Sequence, residues 1–289
     1  MADTQNTIYA QAYARNIMQL AQQKYSKLLN TVFIKPNVRG KTFFQDQIGE
    51  WSMAAKAGRN VQTPNNDPAL DRRRGTMVDY HDARLLDRGD ELRVISDPRS
   101  AYTIAAAASL GRKIDDVIIK AALATAYYGE TGASSVTHSN VVATTTGYLF
   151  LSHLAALKLA FDDADVEEED RFCIITPTAL SNMLQVSTFT SADYAAIKAL
   201  VRGEIDSFMG FRWITSTRIG QLVAADTPYA LSISAIAWHK YGICAAMGAE
   251  PMVRTDERAD LSYSWQIYYE LNIGAVRLEE DRVHSVNAT

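Results

Sequence analysis

The 289-residue sequence has little of several features that mark common classes of protein. Its two cysteines, Cys173 and Cys244, are far apart and form no CxxC pair, which excludes a disulfide scaffold and a cysteine-rich zinc site. Its apolar runs, such as Ile104–Ala108, are too short to cross a bilayer. Residues 1–6 lack a basic segment followed by an apolar one, so we expect no secretory signal.

The sequence also has no strong excess of one charge and no shortage of hydrophobic residues. Hydrophobic residues make up 47% and charged residues 21%, which indicates a globular chain and excludes a disordered one. The formal net charge of −4 argues against a dedicated nucleic-acid binder with a basic surface. We therefore expect a soluble α+β protein with a sizeable hydrophobic core.

Motifs that carry chemistry are missing. Gly40-Lys41-Thr42 resembles the end of a phosphate-binding loop, but Lys35 stands where the first glycine is required. The acidic run 162–170 has no turn glycine and no final glutamate at the spacing of a calcium-binding loop. The histidines show no paired-ligand spacing, and no GxSxG or GxGxxG is present. We predict no catalytic residue, no cofactor and no metal site.

The first third of the chain indicates an arm followed by a long excursion. Residues 1–35 have helical periodicity and a local excess of basic residues. Residues 38–94 are punctuated by glycine and proline, and two β-like pieces, Thr42–Ile48 and Thr76–Leu86, flank a polar tip over Asn60–Arg74. Six acidic and six arginine side chains fall between residues 71 and 93, a density that suits salt bridges between subunits.

The rest of the chain alternates helices with short strands and then becomes β. Asp97-Pro98 is a strong helix start, and small and apolar residues keep helical spacing to Tyr128. After it we predict a polar turn segment over 129–147, a helix over 148–164, a buried strand over 171–176 and a helix from Thr176-Pro177 to Gln185. A helix over 191–201 and a turn and strand over 203–214 follow. The end of the chain is predicted to form a long strand over 261–275 with apolar odd positions, a charged turn over 277–281 and a short strand over 282–286.

This order of parts, together with three local patterns, resembles the major capsid proteins of tailed bacteriophages, which have the Hong-Kong-97-type fold. The patterns are Gly203-Glu204-Ile205 followed by Gly210-Phe211-Arg212-Trp213-Ile214, then Ala237-Trp238-His239-Lys240-Tyr241-Gly242-Ile243, and then Asp256-Glu257-Arg258. The resemblance covers most of the chain, from about Thr31 to Val286, plus an arm.

The resemblance implies an α+β fold with named parts. They are an N-terminal arm over residues 1–37, an E-loop over 38–92, a P-domain built from 93–146 and 250–289 with a spine helix over 97–128, and an A-domain over 147–249.

The resemblance also implies a function. The chain would assemble with copies of itself, as pentamers and hexamers, into an icosahedral shell around double-stranded DNA that it contacts without reading sequence. Further implied partners are a scaffolding protein, a portal and a cement protein, with synthesis in the host cytoplasm, a final location in the virion and no membrane. The candidate intersubunit contacts are Arg72, Arg73, Arg74, Arg84, Arg88, Asp87 and Asp90.

Two alternatives compete with this interpretation. An encapsulin-type shell protein shares the fold, although the long excursion over residues 38–92 favours the virus. A soluble α+β enzyme without a recognisable motif would need scattered residues such as His153, Asp193 and His239 to converge.

Overall fold

The computed structural model describes residues 22–63, 65–86, 99–144, 151–185, 207–225, 233–248 and 251–288. The described α-helices are α1 (Arg99–Leu123), α2 (Leu151–Asp163), α3 (Pro177–Gln185) and α4 (Arg218–Ala225). The described strands are β1 (Phe33–Lys35), β2 (Thr42–Ile48), β3 (Leu70–Thr76), β4 (Val78–Leu86), β5 (Ala126–Tyr128), β6 (Ser134–Val136), β7 (Val141–Thr144), β8 (Arg171–Ile175), β9 (Ser207–Phe208), β10 (Phe211–Thr215), β11 (Ile233–His239), β12 (Ile243–Met247), β13 (Met252–Arg258), β14 (Ser264–Arg277) and β15 (Val283–Ala288). The predicted α+β class is confirmed.

The chain divides into two units. The described residues of the first unit lie within 22–26, 79–112 and 250–271, and those of the second lie within 27–78, 113–248 and 272–288. Helix α1 and strand β14 contribute residues to both units.

The first unit is built on strands that pair with β14, of which β13 is antiparallel to it. β13 pairs with the start of β14, from Met252 opposite Glu270 to Arg258 opposite Ser264, and β4 also pairs with β14. Tyr269 on β14 donates a hydrogen bond of 2.8 Å to the Asp82 carboxylate on β4, which fastens these two strands through their side chains. Gly111 lies against the backbone of Tyr25 and Ser26, where any larger residue would collide.

A six-stranded sheet forms the largest layer of the second unit, in the order β7-β15-β11-β8-β10-β9. Helix α2 covers one face of it, because Leu154, Leu157 and Phe161 recur at helical spacing and are buried. They pack with Cys173 and Ile175 of β8, with Ala235 and Ala237 of β11 and with Val286 of β15. Two smaller groupings in this unit are the sheet β2-β3-β5-β6 and the ladder in which β12 joins β1 to the end of β14.

Local signals predicted several elements correctly. β8 is a fully buried strand, as its apolar sequence predicts. α3 begins at Pro177, and the Thr176 hydroxyl accepts a hydrogen bond of 3.2 Å from the Ala179 amide, which is the expected N-terminal cap. The start of the long helix at residues 97–98, the helix over 191–201 and the turn at 203–205 lie outside the described residues.

The prediction that the long helix continues to Tyr128 is wrong. α1 ends at Leu123, and β5 pairs with β3 instead, with Tyr127 opposite Arg74 and Tyr128 opposite Arg73. The apolar spacing carries on past Leu123, but this strand pairing takes the following residues out of the helix. Helix α1 is therefore about 37 Å long by its residue count.

The prediction that Thr76–Leu86 forms the second strand of the excursion is also wrong. Thr42–Ile48 pairs with Leu70–Thr76, which contains residues that the sequence analysis assigned to the polar tip. Val78–Leu86 belongs to the sheet that contains β14. The hairpin β2–β3 is thus shorter than expected, and its loop runs from residue 49 to residue 69.

The long terminal strand is confirmed in type but displaced along the chain. β14 begins at Ser264, so Leu261 and Tyr263 lie in a turn and are exposed. Ser262 and Tyr263 have positive φ values of 54° and 56°, which end the alternation at that point. Farther along, Ile267, Leu271 and Ile273 are buried, as the period of two predicts.

Candidate assembly surfaces

The β2–β3 hairpin has one anchored region and one exposed region. Near its base, Phe43 is buried, and its ring occupies the space above Gly75, where an added Cβ would lie 2.2 Å from the ring. The Gly49 amide donates a hydrogen bond of 2.7 Å to the Ala69 carbonyl, which extends the ladder by one step. Beyond that bond, residues 50–63 and 65–67 are exposed. The hairpin is therefore fixed at its base and projects a solvent-exposed loop.

Large apolar side chains are exposed on this hairpin. Ile48 is 74% exposed, Trp51 71%, Met53 93% and Leu70 77%. Side chains of this size stabilise a protein by leaving water, and a group of them on the surface marks a site of interaction with another molecule. The hairpin loop is therefore a candidate contact surface. Sequence patterning did not reveal it, because Trp51 and Met53 show neither helical nor strand periodicity.

Arg72 and Arg74 lie on one face of β3. Arg72 Nε is 2.6 Å from the Asp46 carboxylate, and its guanidinium lies 5.3 Å from the centre of the Phe44 ring. The Arg74 guanidinium lies 4.9 Å from the centre of the Tyr127 ring. The Arg72 side chain keeps 42% of its surface exposed, so these intrachain contacts leave it available to a neighbour.

The remaining predicted contact residues fall in three places. Arg84 is exposed on β4, with its guanidinium 5.9 Å from the centre of the Tyr102 ring. Arg73 faces the opposite way from Arg72 and is buried, 5.4 Å from the Tyr128 ring centre. Asp87, Arg88 and Asp90 lie outside the described residues. Arg73 thus has little surface to offer a neighbour.

Arg73 belongs to a buried ionic cluster that the sequence analysis missed. Its Nη1 is 3.7 Å from Glu280, and the other oxygen of that carboxylate is 2.7 Å from Nε of the fully buried Arg277. Arg277 also donates hydrogen bonds to the carbonyls of Ala122 and Ala124, at 2.8 and 2.7 Å. A cation at these carbonyls satisfies the free acceptors at the end of α1 and complements the helix dipole.

The acidic run 162–170 is an exposed and partly paired segment. Asp162 accepts a hydrogen bond from the buried Arg171, and this bond holds the pKa of Asp162 below its usual value. The pKa of Glu167 is lowered by a hydrogen bond to the backbone of Glu167 itself and then by the positive charge of Arg282. Asp170 lies 3.6 Å from Lys240. Asp163, Asp165, Glu168 and Glu169 are exposed and form no ion pair with the part of the chain that the structure describes.

A cavity of about 450 Å³ adjoins this run. One wall is formed by residues 168–171, and the other by residues 207–212 around the β9–β10 turn. The second wall includes the half-buried Phe208 and Met209. Carboxylates therefore face Phe208, Met209 and the exposed Arg212 across an open depression.

Of the three residues of the enzyme alternative, the structure describes His153 and His239. His239 is 3% exposed, and its Nδ1 lies 3.3 Å from the Tyr241 amide and 3.2 Å from Arg282, so this nitrogen accepts. Burial lowers the pKa of His239. His153 lies on α2, and Asp193 lies outside the described residues. His239 is thus part of a structural network.

The cysteines behave as packing residues. Both are buried and free. Burial raises the pKa of Cys244 to about 11 and raises that of Cys173 further, so neither thiol ionises near neutral pH. Within the described ranges no group of three or more histidine, cysteine or acidic residues could hold a metal ion, and no helix is long and apolar enough to cross a membrane.

Comparison with known proteins decides the family. A family model described as phage capsid protein matches residues 5–289. The chain belongs to the phage capsid protein family. A comparison with curated proteins finds no match.

Solved phage capsid structures share the fold of this family member. The capsid of cyanophage P-SCSP1u matches with a TM-score of 0.76 and 15% identity over 98% of this chain and 94% of that chain. Mycobacterium phage Che8 matches with a TM-score of 0.71 and 15% identity over 98% of both chains. The capsid of cyanophage Pam1 matches with a TM-score of 0.69 and 11% identity over 100% of this chain and 99% of that chain.

The predicted Hong-Kong-97-type fold and the predicted family are confirmed by these comparisons. Phage capsid proteins are structural components of the virion. Neither the encapsulin alternative nor the enzyme alternative is favoured, because the family match covers nearly the whole chain.

Proposed function

We propose that this phage capsid protein is the major shell subunit of a tailed bacteriophage and a structural protein without catalytic activity. Copies of it close into an icosahedral shell of pentamers and hexamers around double-stranded DNA. The observation that carries the proposal is the family match over residues 5–289. The exposed apolar hairpin supports it, since a subunit that completes its burial only on assembly leaves such surface free.

In this proposal the predicted parts keep their family roles. Residues 1–37 serve as the N-terminal arm, 38–92 as the E-loop, 93–146 with 250–289 as the P-domain and 147–249 as the A-domain. The β2–β3 hairpin is the projecting element of the E-loop and lies over a neighbouring subunit. Arg72, Arg74 and Arg84 contribute charge to that contact, as do Arg88, Asp87 and Asp90, while Arg73 stabilises the base of the hairpin from within.

The proposed partners beyond the subunit itself follow the same reasoning. A scaffolding protein guides closure, a portal occupies one vertex, and a cement protein binds the outer surface. DNA touches the inner face through charge alone, and a net charge of −4 keeps that attraction weak during packaging. The subunit is made in the host cytoplasm and ends in the virion.

Negative-stain electron microscopy of the purified chain, alone and co-expressed with a candidate scaffolding protein, tests the proposal. We expect closed shells or capsomer rings in at least one of the two preparations. Particles of monomer size in both preparations would contradict it.

A further inference from the structure

The C-terminal end of α2 and the acidic run after it form a surface that lacks a partner within the described part of the subunit. We call Leu159, residues 162–170 and the adjoining cavity the acidic surface. Leu159 is 59% exposed although it lies on a helix whose opposite side is buried. Asp163, Asp165, Glu168 and Glu169 lie close together in sequence and form no ion pair with a described residue.

This arrangement is unfavourable in an isolated subunit. Carboxylates near a helix C-terminus face the negative end of the helix dipole, and neighbouring carboxylates repel each other. Arg171, Lys158, Lys240 and Arg282 offset part of this repulsion through Asp162, Glu167 and Asp170. The other four carboxylates form no ion pair with a described residue. Two of them, Glu168 and Glu169, border the cavity of about 450 Å³, whose far wall carries Phe208, Met209 and Arg212.

The hairpin loop has the complementary chemistry. Lys56 and Arg59 are exposed and form no ion pair with any described residue. Exposed Trp51 and Met53 lie on the same loop. The segment from residue 39 to residue 76 carries seven basic and four acidic side chains, so its charge is opposite to that of the acidic surface. The loop also projects, whereas the acidic surface contains a depression.

We infer that the acidic surface of one subunit receives the hairpin loop of a second copy, with Lys56 and Arg59 against Glu168 and Glu169 and the apolar loop residues against Leu159 and the cavity. This inference rests on the proposed function and names the surface that the hairpin contacts. Two different patches on one chain that fit each other make a heterologous contact, which generates a ring when the rotation closes.

Charge reversal on each side, alone and together, tests the inference. The acidic variant is Glu168→Lys with Glu169→Lys, the hairpin variant is Lys56→Glu with Arg59→Glu, and the swap variant carries all four changes. Glu130→Lys, an exposed carboxylate in another loop, is the matched control. The measurement is the subunit concentration at which half of the protein sediments as assembled particles, with circular dichroism to confirm that each variant is folded.

We expect each reversal to raise that concentration by about tenfold or more, because attractive pairs become repulsive ones. We expect the swap variant to return to within about threefold of the wild type. The control should match the wild type.

Three results would overturn the inference while leaving shell formation by the wild type intact. The reversals could have no more effect than Glu130→Lys. Both reversals could impair assembly without recovery in the swap variant, which would mean that the two surfaces meet different partners. The acidic variant could assemble normally on its own and fail to assemble only when a separate basic protein is present, which would assign the acidic surface to that protein. Failure of the wild type to assemble would instead count against the proposed function.

Discussion

Arg277 illustrates how one side chain can fix the end of a long helix. It is fully buried and is held by one carboxylate, from Glu280, and by the carbonyls of Ala122 and Ala124. A charge buried in this way is tolerated because every partner is in place, and loss of one partner leaves the others without compensation.

We predict that Arg277→Met, which keeps most of the side-chain volume, lowers the free energy of unfolding by about 3–5 kcal/mol. Chemical denaturation of the unassembled subunit measures this change. Arg254→Met, at an exposed position on β13, is the control and should change the free energy by less than about 0.5 kcal/mol. Equal stability of the two variants would show that Arg277 does not hold the helix end.

Buried and half-buried histidines make the subunit sensitive to acid. Burial, followed by the positive charges of Arg277 and His284, lowers the pKa of His138 from 6.5 to about 4. Burial also lowers the pKa values of His239 and His284. In the unfolded chain these groups take up protons as the pH falls through about 6.5, whereas in the folded chain they do so only at lower pH.

For His138 the loss of stability should therefore begin below about pH 7 and continue to about pH 4, at about 1.4 kcal/mol per pH unit. His239 and His284 should add to the loss in the same direction. Unfolding measured at intervals across this range tests the prediction. The His138→Gln variant can keep the contact with the Ser285 hydroxyl. In this variant the free energy of unfolding should fall less steeply with decreasing pH, by about 1.4 kcal/mol per pH unit. An unchanged slope in that variant would contradict the assignment to His138.

At the scale of elements, close backbone contacts decide where strands can lie. A Cβ on Gly274 of β14 would lie 2.3 Å from the backbone oxygen of Thr76, which no side-chain movement can relieve. Gly220, on the exposed side of α4, has open space around it, because apart from its own stretch of helix no described atom lies within 4 Å of the point that a Cβ would occupy. The same substitution should therefore have opposite effects at these two positions.

We predict that Gly274→Ala destabilises the subunit by about 1–3 kcal/mol, as overpacking does. Gly220→Ala should stabilise it by up to about 1 kcal/mol, because alanine favours a helix over glycine. Thermal unfolding of both variants beside the wild type provides the comparison. A neutral Gly274→Ala would mean that β14 and Thr76 do not approach this closely.

Elements with strong local signals could be predicted from the sequence, and those made by distant partners could not. α3 carries its cap and its proline next to each other, and β8 is apolar throughout most of its length. By contrast, β3 reads Leu-Asp-Arg-Arg-Arg-Gly-Thr, which has no alternation, and it is a strand because β2 and β5 pair with it. Likewise α1 ends where Arg277, over 150 residues away in sequence, meets its last carbonyls.

For the contact surfaces, the sequence predicted where charge is concentrated but not which charged side chains are buried or paired. The arginine-rich segment was found because charge can be counted, but the burial of Arg73 depends on Tyr128 and Glu280. The acidic residues of the run 162–170 are all exposed. Some of its carboxylates form ion pairs with Arg171, Lys240 and Arg282. The sequence does not show which ones, because these cations come close to the run only in the folded chain.

At the scale of the whole molecule, the exposed hairpin should matter for assembly and not for folding. Trp51 and Met53 are 71% and 93% exposed, so the subunit gains little stability from them. We predict that the double variant Trp51→Ser with Met53→Ser changes the free energy of unfolding by less than about 0.5 kcal/mol. It should raise the concentration needed for assembly by about tenfold or more, because their burial in a neighbour is lost.

Sedimentation of the assembled fraction and denaturation of the unassembled subunit measure these two effects separately. Gln62→Ser, a polar change on the same exposed loop, is the control and should affect neither. A loss of subunit stability in the double variant would place these side chains in the core of the subunit.

The most direct test of the account is a cryo-electron-microscopy reconstruction of particles formed by the wild-type chain, at a resolution that shows side chains. We predict a closed shell in which the β2–β3 hairpin of every subunit lies over its neighbour, with Trp51 and Met53 buried there. A shell in which the hairpin touches only its own subunit would contradict that claim.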